Sequence, residues 1–276
     1  MGKLNISGHL NGHEYPVFLM KFPSFIHLIY HWNGMLLQRN KAVKRELNMA
    51  FQTMKNGQVL DAGCGEGMFI LPYAKTYSGL HFTGIDKNQG HIDFCEKYKS
   101  VHHLTNVTLS RQPLESVSLN KTFDLIYCVG TLQYVEQDVS VLSMFHRQLN
   151  KNGQLIIYSP INGKMITSVY KYFSQQKNNY EIQQKRKRVY SEKELIEKLK
   201  KVGFKVILKK YNYGNLGIIC HEIYSIFLIK IGDSKYFFWI YYFLLIIISP
   251  IILLLSNIDF LIKKNNGNGI LIILNK

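Results

Sequence analysis

The chain has 276 residues and is 47% hydrophobic, enough to bury a substantial core as one large domain or as a domain with an appendage. Its formal charge of +16 points to an anionic partner surface, although lysine is spread along the whole chain. The four cysteines (Cys64, Cys95, Cys128, Cys220) show neither pairing nor metal-ligand spacing, which argues against a disulfide framework and structural zinc and makes a reducing, cytoplasmic location the expectation.

The first residues hold no apolar stretch of signal-peptide length. Ile6 stands where a myristoylated Gly2 requires Ser or Thr, so neither address is expected. Residues 18–32 are apolar and aromatic. His27 and His31 sit four apart on one helical face there, but no third ligand accompanies them and no metal is expected. Arg39 through Met54 reads as an amphipathic helix leading into a strand. Residues 57–67, Gly-Gln-Val-Leu-Asp-Ala-Gly-Cys-Gly-Glu-Gly, then run from a short apolar strand into a glycine-rich turn, and a helical stretch opens at Met68. Glycine lets a backbone approach a nucleotide-like ligand closely. A dinucleotide site wants Gly-x-Gly-x-x-Gly, whereas here the third glycine comes one residue early. Asp61, just ahead of the turn, would repel a pyrophosphate and welcome a cation. Further on, Lys185-Arg-Lys-Arg188 precedes a helix opened by Ser191 and Glu194, a capping box. That basic run reads either as a solvated loop or as a contact for anionic lipid. Nucleic-acid binding is not expected, because no zinc knuckle or RNA-binding signature accompanies it. From Tyr236 to Ile258 no residue is charged, and a bilayer needs roughly 20 apolar residues in a helix. Trp239, Tyr241 and Tyr242 crowd the early end, as at a membrane interface. The alternative, a buried core helix, is at odds with a run that has no polar face. Ser249-Pro250 is expected to break or kink the run, leaving halves each too short to span.

The pattern Asp61-x-Gly63-x-Gly65-x-Gly67 resembles motif I of the class I S-adenosylmethionine (AdoMet)-dependent methyltransferases, in particular the type 11-like members that act on small molecules and in quinone biosynthesis. The resemblance continues in register. Residues 81–86 are similar to that family's second strand, ending in Asp86, and 107–114 to its third. Residues 123–129 are similar to the fourth, 130–136 to the loop that follows it, and 151–160 to the fifth. Residues 204–208 and 269–275 are similar to the sixth and seventh. The implied fold is α/β and Rossmann-like: a seven-stranded, mostly parallel sheet with an antiparallel last strand, carrying an apolar helical insertion between strands six and seven. The implied cofactor is S-adenosyl-L-methionine. Asp61, Gly63, Cys64, Gly65 and Gly67 would shape its methionine end, Asp86 its ribose, and Gln112, Pro113, Leu114 and Val129 its remaining surface. Two positions depart from the family: Gln112 replaces the Asp that accepts from the adenine amino group, and Tyr134 replaces the loop His. A Gln carbonyl still accepts such a bond.

The family's sheet also constrains the apolar run. A single crossing between strands six and seven would strand the last strand across the bilayer, so a re-entrant or interfacial hairpin is expected rather than a spanning helix. The flanking lysines, Lys230, Lys235, Lys263 and Lys264, are balanced and set no orientation. In organisation, residues 1–40 read as an acceptor-side lid, in which His27, Tyr30 and His31 are candidates to line the pocket. Residues 41–210 read as the AdoMet core, 211–265 as the membrane-associated insertion, and 266–276 as the final strand. The reading is a methyltransferase at the cytoplasmic face of a membrane, acting on a hydrophobic or lipid-linked small molecule. His27, His31, Tyr134 and His221 are the candidates for a catalytic base. Two alternatives remain: a membrane-tethered AdoMet-binding protein without catalysis, and a methyltransferase of a soluble small molecule.

Overall fold

The computed structural model describes residues 9–10, 13–14, 23–175, 186–233 and 238–276. Strands β1 (His9–Leu10) and β2 (His13–Glu14) form a small separate antiparallel pair. Helices α1 (Pro23–Met35) and α2 (Gln38–Thr53) precede β3 (Gly57–Ala62), α3 (Ile70–Thr76), β4 (Leu80–Asp86), α4 (Gln89–Val101) and β5 (Val107–Arg111). Then come β6 (Phe123–Val129), α5 (Asp138–Gln148), β7 (Leu149–Pro160), α6 (Ser168–Ser174), α7 (Glu192–Val202) and β8 (Lys205–Asn212). Helices α8 (Asn215–Asp233) and α9 (Phe238–Leu261) and strand β9 (Gly269–Asn275) complete the order. The sheet runs β5-β4-β3-β6-β7-β9-β8. Strands β3 to β7 pair in parallel, and β9 lies antiparallel to both neighbours.

Parallel strands joined by helical crossovers are covered on both faces, so their residues are apolar almost without interruption. In β3 the pleat sends Val59 to one face, against Val43, Phe51 and Ile70, and Leu60 and Ala62 to the other, where Val141, Phe145 and Leu195 belong to the opposite core. Ser191 caps α7, its Oγ accepting the Glu194 N–H at 3.1 Å, and Gly203, at φ 107°, ends the helix. The third strand is shorter than the sequence suggests. It stops at Arg111, because Pro113 has no N–H to continue a ladder. Gln112 instead donates its N–H to the Asp86 carbonyl at 3.0 Å, so residues 112–114 form a loop beside the end of β4.

The insertion is a pair of packed helices, α8 and α9. It leaves the sheet after Asn212 and returns at Gly269, and those two residues are directly paired. Gln38 fastens both ends. Its carbonyl oxygen accepts the Tyr213 N–H at 2.7 Å, and its amide donates to Asp259 Oδ2 at 2.9 Å and to the Ser256 carbonyl at 3.0 Å. The expected break at Pro250 does not occur, and α9 runs continuously through it. The Ile246 carbonyl, which a proline at position 250 cannot bond, accepts the Ser249 hydroxyl at 2.7 Å. One side of α9 buries Leu245 and Ile252 against Leu37, Tyr224 and Leu228. The other exposes Phe243, Ile247, Ile251, Leu254 and Ile258, an apolar stripe at helical spacing.

Candidate functional site

The glycine turn after β3 is built by backbone conformation. Gly63, Gly65 and Gly67 have φ of 85°, 52° and 74°, the left-handed region that disfavours any side chain. A Cβ on Gly63 would fall 2.3 Å from Thr131, and one on Gly67 2.5 Å from Leu71. A Cβ on Gly65 would meet nothing within 4 Å, so this glycine faces open space: a cradle floored by main chain. The turn is tied down by the N–H groups of Gly63 and Cys64, which both donate to the Ile85 carbonyl.

Asp86 locks the cradle to the end of β4. Its Oδ2 accepts the Gly65 N–H at 3.0 Å, its Oδ1 accepts the Asn88 N–H at 2.8 Å, and His91 Nδ1 lies 3.3 Å away. The other ring nitrogen of His91 is 3.4 Å from Glu66. Burial pushes the Asp86 carboxyl upward, but these donors and the neighbouring imidazole outweigh it and hold the group below the ordinary carboxylate range. Burial lowers His91 in turn, and Asp86 and Glu66 more than compensate, so its pKa is raised. Neither Glu66 nor His91 stands out in the sequence. An acid inside the glycine run and a histidine five residues after Asp86 are the only signals, and they become a unit only when α4 packs beside the turn.

Asp61 is the opposite case. It is buried, its Oδ2 has no hydrogen-bond partner, and burial, with the Asp86 charge adding to it, pushes its carboxyl well above the usual range. A desolvated carboxylate of this kind favours a cationic neighbour. Of the other expected cofactor residues, Cys64 and Leu114 are buried, Val129 is half-buried and Pro113 is exposed. Gln112 donates its amide to Ser110 Oγ at 3.0 Å, which leaves the carbonyl as the end suited to an amino group.

Beyond the turn opens a cavity of about 240 Å3. Arg39, Tyr134, Tyr158, Arg186, Tyr213 and His221 are among its lining residues. Two of the four candidate bases therefore line it, Tyr134 and His221. His221 is half-buried, with its ring against Tyr213 at 5.1 Å between centroids. Burial first, then the charges of Arg39 and Arg186, lower its pKa to about 4, so the imidazole is neutral at ordinary pH. His31 is placed elsewhere: its Nδ1 lies 3.2 Å from Lys44 Nζ, and it is not among the cavity residues. The side chains of His27 and Tyr30 lie outside the described residues. Leu37 and Arg39, at the joint of α1 and α2, do reach the cavity. Arg39, Tyr158 and Tyr213 carry no motif that sequence reasoning could have used, and Arg186 stood out only as part of the basic run 185–188.

The basic run before α7 faces the protein. Lys187 pairs with Glu136 at 2.5 Å, Arg188 with Asp138 at 2.6 Å, and Arg186 lines the cavity, while Lys185 lies outside the described residues. Backbone N–H groups of Lys187 and Arg188 donate to the Gln133 carbonyl, which docks the segment against the loop after β6. Among the described residues, no group of His, Cys, Asp and Glu is arranged to hold a metal ion.

A sheet of this order, with a glycine cradle and an acid at the ends of adjacent parallel strands, is that of a class I methyltransferase domain. The family model described as a methyltransferase domain matches residues 53–214, more than half of the chain, and the protein belongs to that family. Among curated relatives, (S)-tetrahydroprotoberberine N-methyltransferase of Eschscholzia californica is 30% identical over 98 residues, covering 35% of this chain and 27% of the relative. The ubiquinone biosynthesis O-methyltransferase of Rickettsia conorii is 27% identical over 123 residues, covering 43% and 41%. The chain thus spans from about a quarter to two-fifths of the length of these relatives. Coclaurine N-methyltransferase, solved with N-methylheliamine and SAH, shares the fold at TM-score 0.57 and 13% identity over 86% of this chain and 73% of that one. The residues present fit S-adenosyl-L-methionine. The open space at Gly65 accepts a ligand against main chain, and the unpartnered Asp61 oxygen suits its cationic end.

Proposed function

We propose that this protein transfers a methyl group from AdoMet to a small hydrophobic or lipid-linked acceptor at the cytoplasmic face of a membrane. The observation that carries the reading is the cradle at Gly65, where a side chain would meet nothing and which Asp86 braces. When bound, AdoMet supplies a methyl group made electrophilic by its sulfonium. Asp61, Gly63, Cys64, Gly65 and Gly67 would hold its methionine end, Asp86 its ribose, and Gln112 to Leu114 with Val129 its adenine side. The chain's own task is orientation, which contributes as much as ~7–11 kcal/mol to such transfers. His221, half-buried and neutral in the cavity wall, is the candidate to take a proton from an acceptor hydroxyl by its position there, and its pKa of about 4 makes it a weak base.

The membrane part of the proposal rests on α9. Residues 240–261 are long and apolar enough to cross a bilayer, and only 28% of that stretch is buried in the protein. The paired positions Asn212 and Gly269 support entry and exit on one side, so α8 and α9 form an interfacial hairpin and not a crossing. In this reading residues 41–210 and 266–276 form the cofactor core, 211–265 the membrane contact, and 1–40 the acceptor side. Anionic lipid near residues 185–188 is a subsidiary proposal that rests on Lys185 and the half-exposed Lys187. The similarity to a ubiquinone biosynthesis enzyme supports a lipid-soluble acceptor.

The decisive test incubates the detergent-solubilised protein with methyl-labelled AdoMet and a membrane extract, then partitions the label. Label in the organic phase is expected. Label only in cytosolic small molecules would retain the transferase and discard the lipid acceptor, and failure to bind AdoMet or SAH would overturn the proposal. For the hairpin, Phe243→Glu with Ile247→Glu should abolish flotation with vesicles. Both residues are exposed, so stability should stay within roughly 0.5 kcal/mol. Unchanged flotation would remove α9 as the contact.

A further inference from the structure

Resting on that reading of the site, we infer that Tyr158 positions the acceptor: its hydroxyl donates a hydrogen bond to an acceptor oxygen next to the atom that is methylated. Tyr158 belongs to β7, where its main chain pairs with Val129 on one side and Leu271 on the other, so its side chain is the part that lines the cavity. The ring reaches along the sheet to Gly269, and a Cβ on that glycine would collide with the hydroxyl. Gly269 has ordinary strand backbone, so its missing side chain serves to make room for the Tyr158 hydroxyl. That hydroxyl is unspent. Tyr158 is 3% exposed, and among the described residues no hydrogen bond reaches its oxygen. Gln133, a second lining residue at 3% exposure, likewise buries a side-chain oxygen that has no partner. Buried polar groups in folded chains are nearly always bonded, and at a cavity wall a ligand supplies the missing bond.

The surroundings decide what the hydroxyl can do. Burial, reinforced by Tyr213, raises its pKa well above the ordinary phenol range, and the charge of Arg39 offsets this only in part. The group therefore stays protonated and serves as a donor, not as a base. The point on Gly269 where a Cβ would stand is 3.4 Å from Tyr213 Cδ2, and the Tyr213 ring packs in turn on His221. The Tyr158 hydroxyl, Tyr213 and His221 thus follow one another along a single wall. The Tyr213 hydroxyl is already engaged, accepting the Arg39 N–H at 3.3 Å, which leaves Tyr158 as the donor of this row. A hydrogen bond donated to the nucleophile itself would tie up the lone pair that attacks the methyl group. The oxygen held by Tyr158 is accordingly a second one, and the acceptor carries two neighbouring polar groups. The bond turns the nucleophile toward His221 and fixes its line of approach, which is where such transfers gain most.

The test uses the full chain in neutral detergent, saturated with SAH, with the ketone acetophenone and its hydrocarbon isostere α-methylstyrene as probes. Tyr158→Phe removes only the hydroxyl. It should weaken acetophenone binding about three- to tenfold, the worth of one neutral hydrogen bond, and leave α-methylstyrene and SAH binding unchanged. The infrared carbonyl stretch of acetophenone bound to the unmodified protein should fall below its value in hydrocarbon solvent, and return to that value in Tyr158→Phe. A purely structural role for Tyr158 would not move that frequency. Equal acetophenone affinity in the two proteins, or an unshifted carbonyl in the unmodified one, would overturn the inference; SAH binding would still stand for the methyltransferase reading. If Tyr158→Phe failed to fold, the carbonyl stretch in the unmodified protein would decide alone. Absence of SAH binding by the unmodified protein would instead overturn the reading on which the inference rests.

Discussion

The glycine cradle after β3 and the cavity lined by Arg39 and His221 are made in different ways. The cradle occupies a short continuous stretch, Asp61 to Gly67, and is completed by Asp86 at the end of the next strand. Its working parts are main-chain N–H groups and the absence of side chains. The cavity draws on the start of α2, the loops after β6 and β7, the stretch before α7, and α8. Its working parts are side chains that meet only in the folded chain. A site made of backbone tolerates little change in its local sequence, whereas one made of converging side chains can be altered one residue at a time. That contrast fits a domain in which one ligand is common to the family and the other is particular to each member.

The contrast can be broken most forcefully at the glycines. Gly63→Ala would place a methyl group against Thr131 in a left-handed conformation, so it should cost about 3 kcal/mol of stability and abolish AdoMet binding. Gly65→Ala, which meets no atom, should cost only ~1–2 kcal/mol in urea unfolding while lowering AdoMet affinity about tenfold. If Gly65→Ala bound AdoMet like the unmodified protein, the ligand would not lie against that glycine. Next in size, Asp86→Ala should weaken AdoMet binding by about tenfold or more, roughly 1.4 kcal/mol or above. Unchanged affinity by calorimetry would remove Asp86 from the ribose site.

On the cavity side the expected effects are narrower. His221 sits at about 4, so a rate that depends on its neutral form should fall near pH 4 and show no limb near 6.5. In Arg186→Gln the limb should move upward yet stay below 6.5, because burial, the larger cause, remains. A limb at 6.5 in the unmodified enzyme would exclude His221 as the base. The smallest effect belongs to His91, a positioning residue for Asp86. Its pKa is raised on folding, so its contribution is complete below the unfolded value of about 6.5 and is lost as pH rises through the higher folded value. Urea unfolding followed upward from pH 6 should show that decline in the unmodified protein and lose it in His91→Asn. Identical slopes in the two proteins would mean that His91 does not support the cradle.

The apolar helix pair α8–α9 shows where local reading stops. An uncharged run of bilayer length was plain in the chain, and so was the need for it to return to the same side if the last strand stays in the sheet. The continuity of α9 was not, because whether a proline interrupts a helix depends on what satisfies the carbonyl it abandons. Here Ser249 does so. Nor could periodicity show that Gln38 would tie both ends of the insertion to α2, or that Arg188 would turn inward onto Asp138.

What the sequence determined by itself was the fold class and the turn conformation of the glycine run, since these depend on near neighbours: a pleat with a period of two residues and glycines that permit left-handed turns. What only the tertiary structure decided was which distant side chains share the cavity, which of the candidate histidines reaches it, and how the positive charge is distributed around it. Those outcomes depend on packing between segments more than a hundred residues apart, and no local pattern of residue types records that packing.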